Sequence, residues 1–271
     1  MPRLVTIALF LICLIGAIQA ELLTDPVRLE TVKADGRHSL ILHNPWPAPV
    51  TYRLSFFLEN AVLDTPNPVT IVVPAEGSAR GPVIQRDDDS HRWQWKYSAY
   101  YHFGDWTKLK SEEAFALPYG PDAAYRVIQA FHGELSHRGK DAYAVDFDMP
   151  EGTEVRAARE GLVVKVVEGF NQGGWDESYR ERANTVIVSH RDGTSSRYVH
   201  LQQNSVVVEP GDWVETGELL GLSGNTGLST GPHLHFDIYS PGDDLKVRTL
   251  KFRLRVNGED ITPCEGVLYQ N

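Results

Sequence analysis

The segment Gly231-Pro232-His233-Leu234-His235-Phe236 sets two histidines one residue apart. On a strand, side chains alternate with period two, so both imidazoles face the same side, roughly 7 Å apart. Such a pair can share a metal ion, or one ring can ligate while the other does acid–base work. Tyr198-Val199-His200-Leu201 carries another strand-borne histidine. Further upstream lie His137 and then Asp146, which heads Asp146-Phe147-Asp148-Met149-Pro150-Glu151-Gly152-Thr153. Histidines and a carboxylate among glycine-rich turns are the parts of a metal-hydrolase site.

The elements that must position these residues read as strands throughout. Thr51–Leu58 partly alternates apolar with polar, Val69–Val73 is short and β-branched, and Arg92–Tyr101 sets Trp93, Trp95 and Tyr97 at period two. That aromatic stripe reads as core packing rather than a carbohydrate platform. Prolines and glycines punctuate the runs, as in a small β-sandwich. Leu117-Pro118-Tyr119-Gly120-Pro121 reads as a linker. Beyond it, Leu162–Val167, Thr185–Ser189, Arg197–Leu201, Val206–Val208 and Val247–Val256 read as strands, and Glu168–Ala183 as a long hairpin loop. The predicted fold class is all-β: an N-terminal β-sandwich-like domain, 21–118, a second antiparallel β domain, 119–245, and a C-terminal β extension, 246–271.

Composition limits the partners. With 26 basic and 36 acidic residues the net charge is −10, which argues against nucleic acid or an anionic membrane as a binding partner. Met1–Ala20 has Arg3 at its start, an apolar run from Leu4 to Ile18 and a small residue at Ala20, the pattern of a cleavable signal peptide. The run falls short of the ~20 apolar residues a membrane span requires. No stable membrane anchor is therefore expected after processing, and a periplasmic or secreted location is. Of two cysteines, Cys13 leaves with the leader and Cys264 remains, so an intrachain disulfide is excluded.

The second domain resembles peptidase family M23, the lysostaphin/LytM-type zinc endopeptidases. The resemblance runs from about Arg126 to Tyr239. It rests on His137, the DFDMPEGTEVRAAREG block, Asn184, His190 before Asp192-Gly193, YVHL at 198–201, PGDWVETGELLG at 210–221 and SGNTGLSTGPHLHF at 223–236. It implies a barrel-sandwich-like sheet and one zinc ion per catalytic domain. By the same resemblance, His137, Asp146 and His235 are the protein ligands, and His200 and His233 the two catalytic histidines. It also implies peptidoglycan peptide stems or cross-bridges as substrate.

One departure is informative. The family's usual spacing is His-x-x-x-Asp, which selects Asp141, whereas Asp146 lies nine residues from His137. The downstream block favours Asp146, since strand register fixes where it points and a loop absorbs five extra residues at small entropic cost. The remaining histidines, 38, 43, 91, 102, 132 and 190, are expected to be structural or at the surface. Asn184 is expected to support the architecture around the site. Two rival readings remain. A lipoyl- or biotinyl-carrier module fits PGDWVETGELLG but lacks its lysine motif. The other rival is a non-catalytic relative that binds cell wall or regulates hydrolases.

Overall fold

The computed structural model describes residues 27–87, 92–108 and 113–270. The expected signal peptide, 1–20, and His91 lie outside them. Among the described residues there is no α-helix, only two short 3₁₀ turns, Gly139–Asp141 and Glu177–Tyr179. Among the described residues no helix is long and apolar enough to cross a membrane. The chain is all-β.

The first seven strands are β1 (Arg28–Ala34), β2 (Arg37–Asn44), β3 (Val50–Glu59), β4 (Ala61–Leu63), β5 (Val69–Val73), β6 (Gly77–Arg86) and β7 (Gln94–Phe103). They form two sheets, ordered β1-β2-β6-β4 and β5-β3-β7. Alternation explains the packing: Tyr52, Leu54 and Phe56 of β3 point inward and are buried, while Phe57 points out. Leu40, Leu42 and Ile84 from the other sheet complete the core. Trp93 and Trp95 pack half-buried against it. Tyr97 departs from the core expectation, being 42% exposed.

The remaining strands are β8 (Tyr125–Gln129), β9 (Ala144–Phe147), β10 (Glu154–Arg156), β11 (Gly161–Val167), β12 (Gly173–Gly174), β13 (Thr185–Ser189), β14 (Ser195–Val199) and β15 (Trp213–Val214). After them come β16 (Leu219–Leu222), β17 (Gly227–Leu228), β18 (Leu234–Pro241), β19 (Val247–Thr249), β20 (Leu254–Val256), β21 (Glu259–Ile261) and β22 (Leu268–Tyr269). Nine of them make one sheet, β15-β11-β13-β14-β18-β9-β8-β22, with β19 also pairing β18. β19 and β22 thus belong to the central sheet, through Tyr239↔Thr249 and Tyr269↔Tyr125, while β20 and β21 pair with each other. Leu234, Phe236 and Ile238 of β18 are fully buried on its core face with Phe147, Tyr198 and Phe252. The opposite face of β18 carries His235, Asp237 and Tyr239.

The N-terminal sandwich is seated on this sheet. Leu162 joins the sandwich core, with Val164 and Trp213 packed against it. The Asp105 N–H donates to the Gly193 carbonyl (2.8 Å), and Ser240 Oγ donates to the Asp105 carbonyl (2.7 Å).

Two strand expectations need correction. Val206–Val208 forms no ladder, because only the Val207 N–H reaches across, to the Leu220 carbonyl. Val247–Val256 is two strands, broken where Phe252 turns inward to meet Phe115 and Phe236.

His190 lies in the core, 1% exposed, and its environment predicts an acid-labile fold. Nδ1 meets the Glu160 carbonyl at 2.7 Å and Nε2 meets Ser196 Oγ at 3.1 Å. Burial and the nearby Arg159 guanidinium push its pKa down from 6.5 to about 4. The unfolded chain therefore takes up a proton below pH 6.5 that the native fold refuses until about pH 4. Stability is full above that window and falls as pH drops through it, by on the order of 2 kcal/mol between pH 6.5 and 5. Urea unfolding of wild type and His190→Gln across this range checks it. An equal slope in the two proteins would refute the assignment.

Candidate metal centre

Register brings the predicted residues together. On β18, His235 pairs directly with Asp146 of β9 on one side and with Val199 of β14 on the other. His200 follows Val199, where the strand ends. Its backbone turns left-handed (φ 67°), a conformation costing a non-glycine residue on the order of 1–3 kcal/mol. The Leu201–Ser223 bridge and a bond from His200 Nδ1 to the Thr226 carbonyl (2.6 Å) hold it there. His137 comes from the loop after β8, fully buried.

The hydrogen-bond partners set each ring's open nitrogen. His137 Nδ1 donates to the Ala130 carbonyl (2.9 Å), which leaves Nε2 bare. That Nε2 is buried, has no hydrogen-bond partner and lies 3.2 Å from Asp146 Oδ1. His235 Nε2 faces Asp237 Oδ2 at 3.0 Å, which turns Nδ1 toward the same Asp146 Oδ1 at 2.9 Å. Gln129 Nε2 donates to Asp146 Oδ2 (2.8 Å), so Oδ1 is the oxygen presented to the histidines. The three candidate ligand atoms lie within 4.8 Å of one another. Two ring nitrogens and one carboxylate oxygen converging in a buried spot is a donor set that fits a divalent cation such as zinc. The unpartnered His137 Nε2 has no other evident use.

The electrostatics agree with this geometry. Burial alone would raise the Asp146 carboxyl; its close contacts with the His137 and His235 rings outweigh it and hold it well below the ordinary value. Burial would lower His235, yet Asp146 and Asp237 raise it to about 9. The proton they retain is the one a cation would displace. His200 is pushed down to about 3 by burial and by His233 and His235, so it is neutral near pH 7.

His200 and His233 stand beside the ligands, their ring centroids 4.5 Å apart. His233 Nδ1 contacts the Gly231 carbonyl (2.8 Å) and Ser229 Oγ (3.2 Å), leaving Nε2 open, 3.9 Å from Asp146 Oδ1. Both rings line an open groove whose floor includes Val199, Ile187 and Arg197 and whose rim includes Leu135 and Trp175. Asp141 is placed elsewhere, its Oδ1 3.0 Å from Arg197 Nη2.

The surrounding glycines are dictated by the protein's own packing. A Cβ on Gly224 would sit 2.6 Å from Gln202 N, and one on Gly227 (φ 83°) 2.5 Å from Ala183 Cβ. Asn184, fully buried, ties Phe170 and Leu201 together and so anchors the long loop beside His200. Three supporting residues escape sequence reasoning: Gln129, Arg197 and Asp237. For Asp237 a signal existed, since it lies two residues after His235 and must share its face.

Fold and site define an all-β protein with a candidate three-residue metal centre at the floor of a groove. Residues 140–263 match the family model of peptidase family M23. Peptidoglycan DD-endopeptidase ShyA of Vibrio cholerae is 32% identical over 128 residues, 46% of this chain and 27% of that protein. Glycyl-glycine endopeptidase ALE-1 of Staphylococcus capitis is 40% identical over 104 residues, 38% of this chain and 25% of that one. Among solved structures, the catalytic domain of lysostaphin from Staphylococcus simulans is 27% identical with a TM-score of 0.33, covering 47% of this chain and 87% of that one. The first curated relatives are matched over only 26–32% of their length.

Proposed function

We propose that this chain is an exported zinc endopeptidase that hydrolyses peptide stems or cross-bridges of bacterial peptidoglycan. The observation that carries the reading is the convergence of His137 Nε2, Asp146 Oδ1 and His235 Nδ1 beside two further histidines in an open groove. The names of the relatives support the substrate class. Residues 1–20 would direct export, the domain at 119–245 would hold the catalytic centre, and the domain at 21–118 would brace its sheet.

His137, Asp146 and His235 would hold the ion, with a position left open toward the groove. When bound, zinc supplies Lewis acidity for a carbonyl oxygen and lowers the pKa of a water toward about 7. The other steps fall to the chain. One of His200 and His233, each with Nε2 open, takes the proton of the attacking water. The other stabilises the oxyanion or protonates the leaving amine. The carbonyls of Thr226 and Gly231 orient the two rings through Nδ1.

The test is digestion of purified cell wall and defined muropeptides, with products identified by mass. Activity is expected to vanish with a chelator and return with zinc. The masses of the products identify which cross-link the chain cuts. Hydrolysis that persists in metal-free protein would sink the mechanism. Binding to cell wall with no new product would favour a non-catalytic role.

A further inference from the structure

Asp237 is buried at 0% exposure and takes no direct part in the site described above. Its Oδ2 accepts from His235 Nε2 (3.0 Å) and from Arg197 Nε (2.9 Å) and Nη2 (2.6 Å). Arg197 Nη2 also donates to Asp141 Oδ1 (3.0 Å). Arg197 is directly opposite Asp237 in the β14–β18 pairing. Its side chain is 21% exposed and that of Asp141 26%, so the pair is largely shielded. The guanidinium also lies over the Tyr239 ring, 5.8 Å from its centroid.

Asp141 ends the 3₁₀ turn in the eight-residue stretch that links His137 to Asp146. The start of this loop is already pinned, because Gln129 Oε1 accepts from the Leu135 and Ser136 N–H groups. Asp141 is the corresponding tie on the far side. We propose that Asp141, Arg197 and Asp237 form a strut that positions two of the three metal ligands at once. Asp237 fixes the ring and tautomer of His235. Arg197 holds Asp237 and, by gripping Asp141, holds the loop that carries His137 against the same strand. The longer spacing between His137 and Asp146 thus comes with its own clamp, built from the aspartate at the shorter spacing.

This inference rests on the metal centre of the proposed function, and its test separates the two. The full chain is prepared as wild type, Asp237→Asn, Asp141→Asn, Arg197→Gln and the Asp141→Asn/Arg197→Gln double variant. Zinc affinity is measured by competition with a chromophoric chelator. Cobalt(II) is substituted for zinc, and its visible spectrum reports ligand geometry. Asp237→Asn should weaken zinc binding by about 10–100-fold and Asp141→Asn by about 10-fold, each with an altered cobalt spectrum. The double variant should bind no more weakly than Arg197→Gln alone, because all act through one connection. Arg197→Gln leaves a buried carboxylate uncompensated and lowers folding stability. Asp141→Asn leaves the Arg197–Asp237 pair intact and carries the test in that event, with thermal unfolding of metal-free protein as the control. Wild-type affinity in both Asp141→Asn and Asp237→Asn, or additive losses in the double variant, would overturn the strut. A wild-type chain that binds no zinc would overturn the proposed function and the strut with it.

Discussion

Asp146→Ala is expected to abolish stoichiometric zinc binding, while Asp141→Ala keeps its zinc with an affinity lowered by about 10-fold. The contrast follows from where the two carboxylates lie. Asp146 is 6% exposed, and one of its oxygens meets both His137 and His235. Gln129 holds its other oxygen, so the carboxylate is aimed before any cation arrives. Its removal leaves two imidazoles without the anionic partner, and Gln129 Nε2 keeps only Ser136 Oγ. Asp141 answers to Arg197 instead, and losing it loosens a support without removing a donor. Metal content after dialysis, measured per chain, decides the matter. Full zinc in the Asp146 variant would reverse the assignment.

The second large effect concerns turnover with the metal retained. His200→Asn and His233→Ala should each lower kcat on a defined muropeptide by about 10²–10⁴-fold, the usual worth of a positioned acid or base. Zinc content should not change, since neither ring nitrogen is among the three converging atoms. Asparagine is chosen at 200 because it tolerates the left-handed backbone there better than most residues. A loss of turnover that follows a loss of zinc would mean that these histidines are ligands. Unchanged kcat in both variants would remove them from the mechanism.

Much of this was legible in the sequence, for reasons that differ by residue. The alternation in Thr51–Leu58 depends on one strand alone and reads correctly, and Leu234-His235 lies on β18 as expected, but His233 precedes that strand and forms an isolated bridge with Gly224. The expected site residues stood in ordered blocks of a recognisable family. Asp237 and Arg197 were not seen because their meaning depends on two strands 40 residues apart meeting in register. Val206–Val208 has strand composition, but its neighbour offers a single hydrogen bond rather than a ladder. The break inside Val247–Val256 reflects a tertiary demand, the burial of Phe252 among aromatic rings, which no local pattern encodes.

The pairing of His235 with Asp146 joins residues 89 positions apart, and it is made across strands that are neighbours in the sheet but distant in the chain. Sheets closed by such distant pairings form slowly, because loop entropy is lost before the contacts repay it. A nascent chain therefore lacks the candidate metal cradle until β9, β14 and β18 have found one another. On the proposed function, metal capture would be a late event in maturation, following completion of the central sheet.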